Sequence, residues 1–371
     1  MKKKVLFLIH DLGQGGAEKV LVNLVNNLNH EQFDITVMTL FGGGINEKFL
    51  SGRIRYLTVY KKAIPGNSHL MKLLSPISLH RKYIKEKYDI EISFLEGPAA
   101  RVISGCRNPD TKLLCWIHGQ KHTRRNAAWS FRSYSESEKC YKSFDRIITV
   151  SQDVKKDFIS IYPHVFDPVV LYNTNESERI LELAREKTDA FEDTCNEIKI
   201  VGVGKLTGIK GFDRLARIHK RLIEEKYPVH TYVLGEGTER ELLESYLGDN
   251  NLSDSFTLVG YQLNPYKYVA KCDLFVCSSY SEGFSTAATE ALIVGTPVCT
   301  VDVSGMKEML GEHNEYGVVT ENTEEALYQG IKSLLDDPDL LAHYKKQAAE
   351  RGKMFSKEKT VRAVEEMLLS I

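Results

Sequence analysis

EIKIVGVGKLTGIKGFDRLARIHKRLIEEK, residues 197–226, decides the fold. Its first eight residues read as a strand that ends on glycine. Phe212, Leu215, Ile218 and Leu222 then recur at helical spacing, so the second half reads as an amphipathic helix. Strand and helix continue to alternate downstream: VHTYVLGEG, ERELLESYLGD, DSFTLVGY, CDLFVCSS and PVCTVDV. The chain closes on KEKTVRAVEEMLLSI, again an amphipathic helix. Upstream the same alternation runs from KKVLFLI through the helix AEKVLVNLVNNL to FDITVMTL, DIEISFL, TKLLCWIH and RIITVS. Helices are expected over Ser75–Lys87 and after Ser151. Such alternation calls for parallel sheets wrapped by helices. A charged stretch, Asn175–Glu197, separates two runs of it. The expectation is two doubly wound α/β domains, residues 1–172 and 173–355. The terminal helix, 356–371, is expected to pack back on the first. Ligands of such sheets bind outside the carboxyl ends of the strands, so a site is expected in the cleft between the domains.

The chain has 371 residues, enough for roughly two to three domains of ordinary size. Hydrophobic residues make up 42 % and charged residues 27 %, which excludes a largely disordered or fibrous protein. Seven cysteines, Cys106, Cys115, Cys140, Cys195, Cys272, Cys277 and Cys299, are irregularly spaced and form no C-x-x-C pair. That pattern argues against a disulfide framework or a zinc motif and for thiols in a reducing cytosol. No run of eighteen apolar residues is present, so no membrane-spanning helix is expected. The basic start MKKK precedes only five apolar residues and no cleavage site follows, so a first strand fits better than a signal peptide. The net charge of −1 hides an asymmetry. Residues 1–172 hold 26 Lys and Arg against 16 Asp and Glu, and the remainder holds 23 against 34. A basic first half fits a polyanionic partner, such as an anionic membrane face or a phosphorylated acceptor, as well as a merely solvated surface.

Three segments carry candidate chemistry. DLGQGGAEK, residues 11–19, puts Gly13, Gly15 and Gly16 between a strand and a helix, where backbone amides and the helix dipole favour a phosphate or sugar. It is neither G-x-G-x-x-G nor a P-loop, and a plain tight turn would use the same residues. In VGVGKLTGIKGFDRL, residues 201–215, Lys205 and Lys210 precede a helix. Two cations and a helix N-terminus suit a diphosphate. In SSYSEGFSTAATEALIVGTPV, residues 278–298, Glu282 stands in the loop and Glu290 on the second turn of a helix that Ser285 or Thr286 would cap. Amides at 284–286 suit phosphate oxygens, and a carboxylate grips vicinal hydroxyls. Surface lysines and a capped helix with two surface acids are the plain alternatives. GQKHTRRNAAWSFRSYSESEKCY, residues 119–141, interleaves Lys121, Arg124 and Arg125 with Trp129, Phe131 and Tyr134. That mixture suits a membrane surface or a lipid-linked diphosphate. No recognised nucleic-acid fold accompanies it, so nucleic acid is not expected as a partner.

Taken together, GGAEK, GKLTGIKG and EGFSTAATEALIVGTPV resemble, in order and spacing, the retaining glycosyltransferases of GT-B fold called family 4. The resemblance covers nearly the whole chain. It implies two Rossmann-like domains, a nucleotide-sugar donor held mainly by the second and an acceptor by the first. It implies Lys205 and Lys210 at the donor diphosphate, Glu290 at the ribose hydroxyls and Glu282 near the transferred sugar. The amides of Phe284, Ser285 and Thr286 would line the phosphate or sugar, and Gly15 and Gly16 would let the first loop approach the donor. His118, after the strand LLCWIH, matches a family histidine close to the donor sugar. Gly260 and Tyr261 would bound the base pocket. Lys205 replaces a more usual arginine, and GFSTA replaces the common G-F-G-L-P, which leaves the donor sugar open. UDP is expected on family frequency. No cofactor and no essential metal are expected; the one D-x-D, Asp337-Pro-Asp339, reads as a turn between helices.

The resulting expectation is a cytoplasmic transferase, peripheral at the inner membrane face. It would move a sugar from a nucleotide sugar to a glycan or lipid-linked saccharide in surface polysaccharide synthesis. Two other readings stay open at this point: a non-catalytic relative that binds glycan or stabilises a partner, and a nucleotide-sugar epimerase of the same architecture.

Overall fold

The computed structural model describes residues 2–62, 71–188 and 197–371. The chain divides into two units: Met1–Thr174 together with Glu358–Ile371, and Asn175–Lys357. Each is built on one parallel sheet.

The first unit contains β1 (Lys3–Ile9), β2 (Phe33–Phe41), β3 (Arg55–Tyr60), β4 (Ile90–Ser93), β5 (Lys112–Ile117), β6 (Arg146–Thr149) and β7 (Val169–Val170). Their spatial order is β3-β2-β1-β4-β5-β6-β7. Val5 pairs with Ile35 on one side and Ile90 on the other. Val5 through Ile9 are fully buried, as expected of a strand covered on both faces. The helix Gly16–Asn27 follows the first glycine loop and buries Val20, Leu21, Leu24 and Val25. The last helix, Lys357–Leu369, buries Thr360, Val361, Val364 and Leu368. Lys3 Nζ donates to the carbonyls of Leu368 and Ile371, both at 3.0 Å, and Glu365 accepts from the Asn29 amide at 2.6 Å.

The second unit contains β8 (Ile198–Val203), β9 (Val229–Leu234), β10 (Phe256–Gly260), β11 (Leu274–Cys277), β12 (Val298–Val301) and β13 (Val318–Thr320). Their order is β10-β9-β8-β11-β12-β13. Ile200 pairs with Thr231 in β9 and with Leu274 in β11. The direction of winding therefore reverses between β8 and β11, which opens a crevice at their carboxyl ends. The helix Phe212–Glu224 buries Phe212, Leu215, Ile218 and Leu222, the face read from the sequence, and also Arg214 and His219.

The charged stretch after residue 174 is more than a connector. Its described part forms the helix Ser177–Ala184, which buries Ser177 and Ile180. Asn264 Nδ2 donates to the Leu183 carbonyl at 2.9 Å and ties this helix into the second unit. Residues 189–196, Cys195 among them, lie outside the described residues. The other six cysteines are free and buried. Among the described residues, no helix is long and apolar enough to cross a membrane.

Candidate active site

The loops after β8 and β11 meet at the point where the second sheet reverses. Gly211 makes the meeting possible. It sits at φ +64°, and a Cβ there would lie 2.0 Å from the Ser278 carbonyl oxygen. Ser278 Oγ donates to the Lys210 carbonyl at 3.1 Å. Arg214 is buried just beneath. Its Nε and one Nη donate to the carbonyls of Ser278 and Ser279 at 2.6 and 2.7 Å, and the other Nη donates to Asn322 Oδ1 at 2.9 Å. Burial pushes the guanidinium's pKa down, and these acceptors take up its hydrogens.

Across this junction Lys210 Nζ donates to Glu282 Oε1 at 2.7 Å. Ser279 Oγ donates to the same oxygen at 2.6 Å, and the Cys277 thiol lies 3.9 Å from it. The Glu282 side chain is 10 % exposed and the Lys210 side chain 28 %. Burial works to lower the lysine's pKa, but the adjacent carboxylate outweighs it and holds the ammonium above its ordinary value. The same burial, with Glu282 beside it, raises the Cys277 thiol, so this cysteine stays protonated and is no nucleophile. Lys205 is exposed on the same loop.

The helix Thr286–Ile293 begins as the sequence indicates. Ser285 caps it, its Oγ accepting from the Ala288 amide at 3.3 Å. Its first-turn amides have no acceptor within the helix and point outward, as at any helix N-terminus. Phe284 turns its ring inward, 5.9 Å from the ring of Phe355, so only its backbone is offered to a ligand. Gly305, at φ +78°, packs against that ring; a Cβ would stand 2.6 Å from Phe284 Cδ2. Glu290 is buried on the second turn, and Tyr266 Oη donates to its Oε1 at 3.4 Å.

The loops after β9 and β10 close the same end of the sheet. Gly235 donates to the Gly260 carbonyl at 2.9 Å, and Leu206 donates to the Glu236 carbonyl at 3.0 Å. Gly260 sits at φ +81°, with Glu236 Oε1 3.1 Å from where its Cβ would be. Tyr261 is 40 % exposed beside it. Thus Lys205, Lys210, Glu282, Phe284, Ser285, Thr286 and Glu290 gather around one switch point, with Gly260 and Tyr261 at the far edge of the same sheet end.

In the first unit, His118 follows β5. Its backbone amide donates to Glu96 Oε2 at 2.9 Å, and its ring lies 5.0 Å from that of Phe94. Its Nε2 is buried and has no hydrogen-bond partner among the described residues. Burial pushes its pKa down to about 4, against a smaller upward pull from Glu96, so the ring is neutral near pH 7. Lys121 Nζ lies 2.8 Å from Glu96 Oε1. Burial would raise the Glu96 carboxyl, but Lys121 outweighs it and holds the pKa low. Gly15 caps the helix Gly16–Asn27 without a side chain. Asp11 Oδ1 accepts from the Gly13 amide at 2.7 Å and ties the loop back.

The interleaved segment 119–141 presents less aromatic surface than its sequence indicates. Phe131 is buried at 2 % exposure, and the Tyr134 hydroxyl donates inward to the Ile161 carbonyl. Trp129 alone stands out, 58 % exposed. The D-x-D residue Asp337 caps the helix Pro338–Gly352, accepting from the Leu340 amide at 3.0 Å. Arg214 and Ser279 escaped the sequence reading, because their roles rest on contacts around the loops after β8 and β11.

A reversed parallel sheet with lysines, helix amides and carboxylates at its switch point defines a nucleotide-binding α/β unit. Comparison with known proteins narrows this. Residues 14–174 match the Glycosyltransferase Family 4 model and residues 185–351 the Glycosyl transferases group 1 model. The chain is 30 % identical over 99 % of its length, and 100 % of the relative's, to N-acetylgalactosamine-N,N'-diacetylbacillosaminyl-diphospho-undecaprenol 4-alpha-N-acetylgalactosaminyltransferase of Campylobacter jejuni. It is 23 % identical to the lipopolysaccharide core biosynthesis glycosyltransferase LpsD of Rhizobium meliloti, over 90 % of this chain and 88 % of the other. In fold it resembles Anabaena Alr3699/HepE, solved with UDP-glucose, at a TM-score of 0.78 and 18 % identity over the whole of both chains. The chain belongs to the family 4 glycosyltransferases and has their GT-B fold. It is a glycosyltransferase enzyme.

Proposed function

We propose that this enzyme transfers a sugar from a UDP-sugar to a lipid-linked saccharide, with retention at the anomeric carbon, during surface glycan synthesis. The observation that carries the reading is the Lys210–Glu282 pair at the switch point of the second sheet. A diphosphate leaving group needs positive charge where its negative charge grows. Lys210, Lys205 and the amides of 284–286 supply it without a metal. When the diphosphate takes up Lys210, Glu282 keeps its Ser279 bond and faces the sugar. Glu290 grips the ribose hydroxyls. His118, neutral and with an unpartnered Nε2, offers the sugar one hydrogen-bonding nitrogen. In this reading the acceptor oxygen bonds to the anomeric carbon as that carbon's bond to the diphosphate breaks, and the departing phosphate takes the acceptor's proton.

The Campylobacter relative is named for an undecaprenol diphosphate acceptor and for α-N-acetylgalactosaminyl transfer, which makes UDP-N-acetylgalactosamine the first donor to try. A membrane-borne acceptor fits the first unit's surface. Leu73 and Trp129 are 77 % and 58 % exposed. Lys72 Nζ lies 5.8 Å from the Trp129 ring centroid, and Arg132 donates to the Leu73 carbonyl at 2.8 Å. Apolar tips rimmed by cations suit the headgroup region of an anionic bilayer at the cytoplasmic face. The test is transfer of labelled sugar from UDP-sugars to lipid-linked saccharides. Loss of transfer in both Lys210→Met and Glu282→Gln, each shown to be folded, supports the reading. Full transfer in both overturns it.

A further inference from the structure

On the first unit, away from the residues assigned above, three unlike side chains converge. His80 comes from the helix Pro76–Tyr83, Glu91 from β4, and Cys106 from the turn after the helix Pro98–Ile103. His80 Nε2 lies 2.7 Å from Glu91 Oε2, and Cys106 Sγ lies 3.9 Å from Glu91 Oε1. The ligand atoms of all three lie within 4.8 Å of one another. We propose that His80, Glu91 and Cys106 bind one divalent cation of the zinc class.

The chemistry selects the ion. Imidazole, thiolate and carboxylate together suit zinc or cobalt and poorly suit magnesium or calcium. Zinc bonds of about 2.0–2.3 Å in a tetrahedron set ligand atoms about 3.3–3.8 Å apart. Reaching that takes shifts of up to about 1 Å: His80 Nε2 and Glu91 Oε2 move apart from 2.7 Å, and the wider separations close. Glu91 is 2 % exposed and paired with His80, and a bound cation takes over at this buried carboxylate the positive charge that the His80 proton supplies. A cavity of about 190 Å³ opens beside the three residues, which gives an entry path and leaves the fourth position to water. Arg107, also on its wall, turns its guanidinium to the carbonyls of Cys106 and Ser104 at 3.0 and 3.4 Å, where the protein neutralises none of the three ligands with it.

The backbone is built for the approach. A Cβ at Gly105 would stand 2.0 Å from the Pro76 carbonyl oxygen and 2.9 Å from His80 Cβ. Only glycine lets the helix Pro76–Tyr83 lie against this turn, and that contact is what brings His80 to Cys106. The ligands are separated by 11 and 15 residues, so they carry no sequence signature of a zinc site. Glu91 stands near the start of β4, whereas His118 and Glu96 follow the carboxyl ends of their strands. The cation would clamp the helix to the sheet and take no part in sugar transfer. On binding, the Cys106 thiol proton and the proton shared by His80 and Glu91 pass to solvent.

The test is a cobalt titration of the whole chain after treatment with a chelator. The expected result is one equivalent bound, with a thiolate-to-cobalt charge-transfer band. Cys106→Ser abolishes that band, and Cys195→Ser leaves it intact. Zinc then displaces the cobalt and raises the melting temperature of the wild type but not of Cys106→Ser. Circular dichroism confirms that both variants are folded, and His80→Gln, also abolishing the band, provides a second arm. Absence of the band, its survival in Cys106→Ser, or its loss in Cys195→Ser overturns the proposal.

Discussion

Replacing Lys210 with methionine removes the ammonium and keeps most of the side chain's volume. Glu282, 10 % exposed, is then left as a nearly buried carboxylate with only neutral partners on its Oε1, the Ser279 hydroxyl and the more distant Cys277 thiol. Breaking a fully buried ion pair costs about 3–5 kcal/mol, and breaking an exposed one about 0–1 kcal/mol. The Lys210 side chain is 28 % exposed, so this pair falls between, and the expected cost is about 2–3 kcal/mol. For a unit of this size that lowers the melting temperature by about 4–12 °C. Lys210→Met with Glu282→Gln removes both charges and leaves the Ser279 bond an acceptor. The double variant is expected to regain at least about 1.5 kcal/mol over the sum of the singles. Both tryptophans, Trp116 and Trp129, lie in the first unit, so scanning calorimetry suits the measurement better than tryptophan fluorescence. Single effects that add to within about 0.5 kcal/mol would refute the pairing.

Gly211→Ala forces a Cβ onto the Ser278 carbonyl at a positive φ; it is expected to cost about 2 kcal/mol or more and to lower donor turnover further than Gly248→Ala, a site where a Cβ meets nothing. His118 sits at about 4 against an ordinary 6.5 because burial disfavours its charged form. The unfolded chain therefore binds the proton first, and stability is full above 6.5 and lost as pH falls toward 4. The loss is up to about 3 kcal/mol, and melting curves between pH 7 and 4 are expected to flatten in His118→Asn. An unchanged profile would contradict the burial argument. Trp129→Ala with Leu73→Ala is expected to weaken binding to anionic vesicles at least tenfold in flotation assays while leaving UDP binding intact. Equal binding by the variant would remove the membrane patch.

Much of this architecture was legible because parallel strands are buried on both faces. VLFLI, residues 5–9, is a continuous apolar run for that reason. Ser285 was legible as a cap because serine before a run of small residues has a local role that needs no tertiary context. What escaped depended on long-range contact. Arg214 lies beside the apolar face read from Phe212, Leu215, Ile218 and Leu222, and the carbonyls of Ser278 and Ser279, more than sixty residues away, draw it inside. Phe131 sits in a basic segment and still turns into the core. The helix Ser177–Ala184 hid in a charged stretch because Ile180 alone among its apolar residues is buried. The switch-point residues were found through motif resemblance, but their mutual contacts, Lys210 to Glu282 above all, belong to the fold.

The most direct test of the central claim is calorimetric titration of the whole chain with UDP, GDP and ADP, repeated on folded Lys210→Met. The account expects UDP to bind with one site per chain, GDP and ADP at least tenfold more weakly, and the UDP affinity to fall at least tenfold in Lys210→Met. Equal affinity of wild type and Lys210→Met for UDP would contradict the assignment of the diphosphate to this crevice.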